Sequence, residues 1–246
     1  MLIEFTDPRL VAIYDTVNPY EADAQPGFYL GLAAELGATS IVDLGCGTGQ
    51  ITCALARHGY RMIGVEPSPA MLDVARHRAG GEGVHWVDGG AGALGTPGAD
   101  LAIMTGHVAQ FFLTDESWRA ALLAFHRALR PGGHLSFESR NPEAREWDRW
   151  ARSERVRVDD PVAGPIETWI EVDDVRDAIV SYAIHYAFLA TGEELVATDQ
   201  QLRFRSEAEL TESLADASFA IERLYGNWDR RPAGPTNPEL IVVASR

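Results

Sequence analysis

The chain has 246 residues, enough for one α/β domain with a sizeable core and an added element. All 21 basic residues are arginines against 36 acidic residues, and the net charge of −15 disfavours a nucleic acid as partner. Because the sequence contains no lysine, enzymes that hold pyridoxal phosphate on a lysine are excluded.

The N-terminal residues predict helical structure before the first strand. Residues 10–20 mix apolar and aromatic positions and end in a proline turn, and Ala24 to Leu36 has apolar residues at helical spacing. Tyr14 and Tyr20 lie in the first of these segments. Two interpretations stay open for them, packing of an N-terminal helix against the sheet or a functional role.

A strand, a tight turn and a helix are predicted over residues 41–55. Gly45, Gly47 and Gly49 follow an apolar run that contains Asp43. Glycines let the backbone turn sharply and let a ligand approach main-chain N–H groups. A dinucleotide fingerprint places its third glycine three residues after the second, which this turn does not. A nearby carboxylate instead suits a ligand that carries positive charge.

Acidic residues end the next two predicted strands. Residues 62–65 form the second strand, and Glu66 follows them, where a carboxylate can accept hydrogen bonds from both hydroxyls of a ribose. Ser68 is the predicted N-cap of a helix that starts at Pro69. Asp88 ends the third strand, although an acid there also suits a simple Asx turn.

The fourth and fifth predicted strands flank a long helix. Residues 100–104 form the fourth strand, which leaves Thr105, Gly106 and His107 at its carboxyl end, where ligands of open α/β sheets bind. The helix covers Ser117 to Leu129, and an Arg-Pro-Gly-Gly turn ends it before the strand His134 to Glu138.

Together these motifs resemble class I S-adenosylmethionine-dependent methyltransferases of the small-molecule type, including sugar and glycine N-methyltransferases and related natural-product enzymes. The resemblance covers about residues 35–140 and includes the strings D-L-G-C-G-T-G and L-R-P-G-G-H-L. It implies that the chain binds S-adenosylmethionine and releases S-adenosylhomocysteine. It also implies that Glu66 binds the ribose, and that Asp88 and the backbone of Gly89 bind the adenine. The cofactor-binding residues expected on this basis are Asp43, Gly45, Cys46, Gly47, Gly49, Glu66, Pro67, Met71, Asp88, Gly89 and Thr105.

The segment after the fifth strand predicts an inserted sheet. Apolar and polar residues alternate over 166–172, 179–189 and 194–205, as in half-buried antiparallel strands. We expect three strands that roof a substrate pocket, and the alternative is a stabilising side sheet without substrate contact. The candidate substrate-binding residues are Tyr20, Gln110, Asn141, Trp147, Trp169, His185 and Tyr186, with Gln201 on the same sheet.

The C-terminal residues complete the predicted fold. Ser206 and Glu209 form a capping box for a helix to Ser218, and residues 219–225 and 239–245 are the last two strands. The expected fold class is an α/β, Rossmann-like seven-stranded sheet of order 3-2-1-4-5-7-6 with strand 7 antiparallel. The expected domains are an N-terminal helical lid (1–34), a cofactor-binding core (35–140), the substrate roof (141–205) and closing core elements (206–246).

For the chemistry, the resemblance implies an in-line displacement that mainly requires correct positioning of the acceptor. A hydroxyl acceptor also needs a base, and His107 is the candidate, although a structural histidine is the alternative. The resemblance implies that a tyrosine of the N-terminal segment lies near the transferred methyl group, and Tyr14 and Tyr20 are the candidates. The sequence does not choose among nitrogen, oxygen and carbon acceptors.

Several alternatives and partner predictions complete the sequence interpretation. A methyltransferase of tRNA or protein, a non-catalytic cofactor-binding protein and, less well supported, a nucleotide-dependent oxidoreductase stay open. Cys46 and Cys53 are expected to be reduced, and the sequence shows neither a metal-binding motif nor a secretory signal. We therefore expect a cytoplasmic monomer or homodimer of specialised metabolism, acting on a small molecule without a metal or a membrane partner.

Overall fold

The computed structural model describes residues 2–20, 24–152 and 154–246, which form two β-sheets and their flanking helices. The strands are β1 Ser40–Leu44, β2 Arg61–Glu66, β3 His85–Asp88, β4 Ala99–Met104, β5 Leu129–Arg140, β6 Val156–Asp160, β7 Gly164–Arg176, β8 Ile179–Phe188, β9 Glu193–Arg203, β10 Ala220–Tyr225 and β11 Glu239–Ser245. The helices are α1 Pro8–Val17, α2 Gln25–Glu35, α3 Gln50–Arg57, α4 Pro69–His77, α5 Asp115–Ala128, α6 Glu146–Trp150 and α7 Glu207–Asp216.

The larger sheet has seven strands in the order β10-β11-β5-β4-β1-β2-β3. Strand β11 is antiparallel to both of its neighbours, and the pairs among β1 to β5 are parallel. This order confirms the predicted topology. The parallel strands carry near-continuous apolar runs because helices cover both faces of the sheet.

Two apolar clusters form these two covers. On one face Trp118 and Phe125 of α5 pack against Phe137 of β5. On the other face Tyr29 of α2 and Leu55 of α3 pack with the buried side chains of β1, β4 and β11. The carboxyl ends of β1, β2 and β4 therefore lie at one edge of a rigid, doubly covered sheet.

The inserted sheet has four strands, so the expectation of three was wrong. Its order is β6-β7-β8-β9, and all three pairs are antiparallel. Strand β6 was not predicted, because its sequence resembles that of a polar loop. Val156 and Val158 alternate with charged residues, as is common on an edge strand. We call this sheet the roof sheet.

The roof sheet is attached to the core through its buried face. Tyr186 of β8 packs with Leu10 and Ile13 of α1 in one cluster. Tyr182 of β8 packs with Trp147 of α6 in a second cluster. Helices α1 and α6 therefore connect the roof sheet to the edge of the main sheet.

Local sequence signals explain most helix and strand ends. Ser68 accepts a hydrogen bond from the backbone of Met71, and Ser206 forms the predicted capping box with Glu209. Strand β5 begins at Leu129 rather than at the predicted residue 134, because Leu129 already pairs with Ala99 before an irregularity in the strand pair.

Cys46 and Cys53 are buried free thiols. Within the described residues, no helix has both the length and the apolar character needed to cross a bilayer.

Candidate active site

A cavity of about 350 Å³ lies at the carboxyl ends of β1, β2 and β4. The glycine turn after β1, the end of β2 and the residues after β4 form its base, and N-terminal residues cover it. Its volume falls within the usual range of small-molecule sites. The predicted cofactor-binding residues that line it are Gly45, Cys46, Gly47, Glu66, Pro67, Met71 and Thr105.

The glycine turn is shaped for close approach of a ligand. Gly45, Gly47 and Gly49 have φ angles of +75°, +54° and +76°, which favour glycine. A Cβ on Gly45 would lie 2.5 Å from the side chain of Val108, whereas one on Gly47 would meet no atom within 4 Å. Because Gly47 also lines the cavity, the open space beside it is available to a bound group.

Glu66 joins the glycine turn to the helix that follows β2. Its carboxylate accepts hydrogen bonds from the backbone N–H of Gly47 at 3.1 Å and of Ser68 at 2.9 Å. Burial raises the pKa of Glu66, and these two bonds oppose that rise. The carboxylate therefore stands at the cavity wall in a fixed orientation.

Asp43 lies behind the glycine turn rather than on the cavity wall. Its side chain is completely buried, Oδ2 accepts a 2.6 Å hydrogen bond from the Thr52 hydroxyl, and Oδ1 has no hydrogen-bond partner among the described residues. Burial raises the pKa of Asp43 to about 7. An unpaired buried carboxyl oxygen is stabilised by a nearby positive charge, directly or through an intervening polar group.

The surroundings of the cavity are acidic. Besides Asp43 and Glu66, the buried carboxyl of Glu138 accepts hydrogen bonds from the backbone of Gly106 and His107. No arginine or histidine is present among the described residues that line the cavity. These groups fit a cationic ligand such as a sulfonium with an amino-acid ammonium group, and they disfavour a pyrophosphate.

The N-terminal residues form a cover over the cavity. Leu2 and Phe5 of a 3₁₀ turn, with Tyr14 of α1 and Tyr20, line its upper side. The ring of Phe5 packs edge-on against Tyr14 at 6.1 Å, and the Ser68 hydroxyl donates to the Phe5 carbonyl. Burial raises the pKa of the Tyr14 hydroxyl, which stays protonated at neutral pH.

Asp15 connects this N-terminal cover to the glycine turn. It accepts a 2.6 Å hydrogen bond from the Thr48 hydroxyl, and it forms an ion pair with Arg78. Arg78 also donates to the Thr48 carbonyl at 2.8 Å. This contact cannot be found from the sequence, because Asp15 and Arg78 are far apart in the chain and belong to no motif.

His107 lies beside the cavity but does not line it. Its backbone is left-handed (φ 61°), and Nε2 lies 3.0 Å from both carboxyl oxygens of Glu239. Burial lowers the pKa of His107 to about 3 and raises that of Glu239 to about 7. The imidazole is therefore neutral at pH 7, and its role as a base stays a prediction.

The residues predicted to bind the adenine, Asp88 and Gly89, lie at the end of β3. Asp88 pairs in register with Glu66, and the Gly89 N–H donates to the Glu66 carbonyl at 3.1 Å. The cavity wall at this point is formed by Gly90 and Ala91, while Asp88 and Gly89 are absent from it. Gly49 likewise lies behind the wall, against Ala75 and Trp86.

A second cavity, of about 280 Å³, lies between the end of α1, helix α6 and the roof sheet. Tyr186 and Trp169, both predicted substrate residues, border it, together with the apolar side chains of Val17, Trp150 and Ile184. A pocket with an aromatic wall beside a cofactor-sized cavity can hold a second small molecule.

The other predicted substrate residues lie elsewhere. The ring of His185 stacks on Trp169 at 4.5 Å and lies near Glu171 and Glu194, on the strand face opposite to Tyr186. Gln201 donates to Ser181 at an exposed position.

Three further candidates make structural contacts. The buried Gln110 accepts from Arg140 at 2.9 Å, and the Trp147 ring packs edge-on against Phe204 at 4.8 Å. Asn141 caps the turn that follows it and donates to two carbonyls of residues 234 and 237. Tyr20 lines the first cavity instead.

Comparison with known proteins agrees with this geometry. Residues 41–133 match the family model described as a methyltransferase domain. The chain is 30% identical over 155 residues to an uncharacterized methyltransferase of Oceanobacillus iheyensis, covering 60% of this chain and 70% of that protein. It is 25% identical over 248 residues to the cypemycin N-terminal methyltransferase of a Streptomyces species, covering 98% and 97% of the two chains.

Solved structures share the fold over nearly the whole chain. An S-adenosylmethionine-dependent methyltransferase of Clostridium acetobutylicum superposes with a TM-score of 0.79 at 16% identity, covering 96% of this chain and 97% of the other. The S-adenosylmethionine-bound amino pentose methyltransferase of Micromonospora echinaspora, involved in calicheamicin biosynthesis, gives a TM-score of 0.67 at 22% identity, covering 88% and 89%. At these identities the likeness extends to the fold alone.

The fold and the acidic glycine-turn site define a class I methyltransferase. The chain belongs to the methyltransferase family, and it is an enzyme of that family.

Proposed function

We propose that this enzyme transfers a methyl group from S-adenosylmethionine to a nitrogen or oxygen atom of a small molecule. One observation carries the proposal: the cofactor-sized acidic cavity and the aromatic-walled cavity under the roof sheet meet the same helix, α1. Tyr14 of α1 lines the first cavity and Val17 lines the second. Because residues three apart lie on the same face of a helix, a donor and an acceptor in these two cavities would lie along one face of α1.

In this proposal the cofactor occupies the first cavity. Glu66 accepts from the ribose hydroxyls, Asp43 balances the positive charge of the amino-acid end through the glycine turn, and the adenine lies toward Asp88 and Gly89. Met71 and Pro67 contribute apolar walls. The bound cofactor supplies a methyl group already activated by a sulfonium, so the protein needs no metal for the transfer.

The protein's own part in the chemistry is positioning. Tyr14 and Tyr20 contribute fixed aromatic walls beside Thr105 and Gly106. Reaction of a neutral amine mainly requires orientation and removal of water, whereas a hydroxyl requires a base. We propose His107 for that role, since it is neutral at pH 7, with Glu239 as the group that receives or shares its proton.

The small-molecule acceptor is supported by three observations. The roof sheet leaves a cavity of about 280 Å³, the net charge of −15 disfavours RNA, and one relative is named as the cypemycin N-terminal methyltransferase. We propose an enzyme of specialised metabolism that acts in the cytoplasm as a monomer or homodimer. The two free, buried cysteines favour a reducing compartment.

Calorimetric titration followed by a turnover assay tests this proposal. S-adenosylmethionine and S-adenosylhomocysteine should bind one site per chain, and NAD should not bind. Release of S-adenosylhomocysteine should then depend on an added small amine or alcohol and not on tRNA. Binding of NAD in preference to S-adenosylmethionine would contradict the cofactor, and turnover with tRNA alone would contradict the acceptor class.

A further inference from the structure

The second cavity interrupts the apolar packing between the roof sheet and the two helices that attach it. On one side lies the cluster that joins Tyr186 to α1, and on the other side lies the cluster that joins Tyr182 to α6. Ile184 packs against both clusters and lines the cavity. The open space of about 280 Å³ therefore lies within an apolar layer of the protein.

Two paired positions of the roof sheet form the floor of this cavity. Ile170 stands opposite Ile184, and Thr168 stands opposite Tyr186, in the pairing of β7 with β8. Residues two apart on a strand share a face, so these four side chains lie on the same side of the sheet. All four line the cavity, and Ile170 and Ile184 are only half-buried there. The floor is therefore apolar except for the Thr168 hydroxyl and the tyrosine.

Two further polar groups of the lining are already bound within the protein. The Tyr186 hydroxyl donates a hydrogen bond to the buried carboxyl of Glu4. The side chain of Asn18, at the end of α1, donates to the Tyr14 carbonyl at 3.2 Å. A ligand with several hydroxyl groups would lose its bonds to water here and find few partners in exchange, so the cavity disfavours a sugar ring.

The charged residues of the lining favour neither an anion nor a cation. Arg149 and Glu154 carry opposite charges, and both are exposed to solvent. Arg149 also forms an ion pair with Glu146. Among the described residues that line the cavity, no carboxylate is buried. An ammonium group inside the cavity would lose water without gaining a buried counter-ion, so the lining favours an uncharged ligand.

Two aromatic side chains, Trp150 of α6 and Tyr186 of β8, contribute to the wall. The Trp150 ring packs against the rings of Tyr182 at 5.5 Å and Phe204 at 6.0 Å, so its position is fixed. Aromatic rings attract one another in edge-on and offset arrangements. Protein interiors are close-packed, and an unfilled apolar cavity lowers stability. A flat apolar ring would fill the gap and gain these aromatic contacts.

We propose that the methyl acceptor is an uncharged aromatic compound, with its ring held in the second cavity against Trp150 and Tyr186. This inference rests on the proposed methyltransferase function and specifies the chemical class of the acceptor. The cavity lies near the lower end of the usual volume range of small-molecule sites, which limits the acceptor to one or two fused rings. Its reacting substituent faces α1, whose Val17 lines this cavity and whose Tyr14 lines the first.

Three probes test the proposal on the protein saturated with S-adenosylhomocysteine, which keeps them out of the first cavity. The probes are 2-naphthol, decahydro-2-naphthol with the same carbon skeleton but no aromatic ring, and the charged sugar glucosamine. Ligand-observed NMR titration at pH 7 measures the three affinities. We expect 2-naphthol to bind at least threefold more tightly than decahydro-2-naphthol, because only the flat ring makes the aromatic contacts. It should bind at least tenfold more tightly than glucosamine.

Two variants assign this binding to the second cavity. Ile184→Trp fills the floor, and Val156→Trp fills the cavity from the edge strand β6. Each should weaken binding of 2-naphthol at least tenfold. Val156 is 57% exposed, so the second variant leaves the packed core intact even if the first does not fold. The matched control is Val196→Trp, at an exposed position that pairs with His185 on the opposite face, and it should keep the affinity within twofold.

Two results would overturn the proposal. One is a preference for 2-naphthol that falls below these factors, and the other is an affinity for 2-naphthol that is unchanged in folded Val156→Trp. Titration of S-adenosylhomocysteine into the wild type comes first. If the wild type does not bind it, the proposed function itself fails. If it binds and the preference for 2-naphthol is absent, only the inference about the acceptor class fails.

Discussion

Glu66 has two functions at the level of single residues, because its carboxylate orders the glycine turn and also faces the cavity. It accepts from Gly47 and from Ser68, and it is one of the residues that line the proposed cofactor site. A neutral amide in its place keeps the shape but loses two charge-assisted acceptors.

We expect Glu66→Gln to weaken S-adenosylmethionine binding by about 1–3 kcal/mol, which is roughly a factor of 5 to 150. Calorimetric titration measures this, with the exposed Glu116→Gln variant of α5 as control. Equal affinities in Glu66→Gln and wild type would remove Glu66 from the proposed site.

His107 is the residue whose role depends most on the acceptor. We expect His107→Ala to reduce the turnover rate at least tenfold with a hydroxyl acceptor, because a base contributes about 10²–10⁴-fold. The affinity for S-adenosylmethionine should stay within twofold, since the imidazole does not line the cavity.

The matched control is His134→Ala, which removes a histidine near Glu222 at a distance from the site. Full turnover of His107→Ala with a hydroxyl acceptor would show that His107 is not the base. With an amine acceptor, His107→Ala should keep full turnover, because a neutral amine needs no base.

At the level of elements, the N-terminal cover lies over the first cavity, and we propose that it controls access to it. Asp15 provides one of its contacts to the core, since it accepts from the Thr48 hydroxyl and forms an ion pair with Arg78, and the bond from Ser68 to the Phe5 carbonyl provides another. These groups are partly exposed, so solvent weakens their ion pair, and loss of the contact costs about 1 kcal/mol at most.

We expect Asp15→Ala to raise the dissociation rate of S-adenosylhomocysteine about fivefold, because the cover opens more often while the cavity itself is unchanged. Stopped-flow displacement measures the rate, and Asp73→Ala, on an exposed position of α4, is the control. A dissociation rate equal to that of wild type would show that Asp15 does not hold the cover closed.

At the element level, local signals predicted the main sheet well. The glycine turn, the acid at the end of β2 and the caps at Ser68 and Ser206 depend on neighbouring residues, so they can be recognised in sequence. The roof sheet was harder to predict from the sequence. In the structure Trp169 and His185 are paired and share one face, but alternation in the sequence shows neither this pairing nor which face the core will cover.

Glu4 illustrates the same limit. A lone acid between Ile3 and Phe5 in the sequence resembles a solvated surface residue. Its burial follows only from the packing of the 3₁₀ turn against the roof sheet, which joins parts of the chain far apart in sequence.

The whole molecule contains several buried acids with few compensating cations. Burial raises the pKa values of Glu4, Asp43 and Glu239 to about 7, above those of an unfolded chain near 4 to 4.5. Between these values the folded chain binds more protons than the unfolded one, so these groups reduce stability as the pH rises from about 4.5 to 7. His107 has the opposite effect on stability. Because its pKa is lowered in the folded chain to about 3, from an ordinary value of 6.5, it makes stability increase as the pH rises between these two values.

Since three carboxyls oppose one histidine, we expect the ligand-free protein to unfold at a higher temperature at pH 6 than at pH 8. One net proton per pH unit corresponds to about 1.4 kcal/mol, or roughly 3–6 °C for a chain of this size. Scanning calorimetry at matched ionic strength measures the difference, and Asp43→Asn should reduce it. A melting temperature that rises from pH 6 to pH 8 would contradict this assignment of buried acids.

The central claim is that the acidic cavity at the ends of β1, β2 and β4 holds S-adenosylmethionine. A crystal structure of the complex with S-adenosylhomocysteine tests it most directly. We predict the ribose hydroxyls at the Glu66 carboxylate, the amino-acid end beside the glycine turn near Asp43, and the sulfur facing Tyr14. A ligand bound outside this cavity, or one whose ribose makes no contact with Glu66, would contradict it.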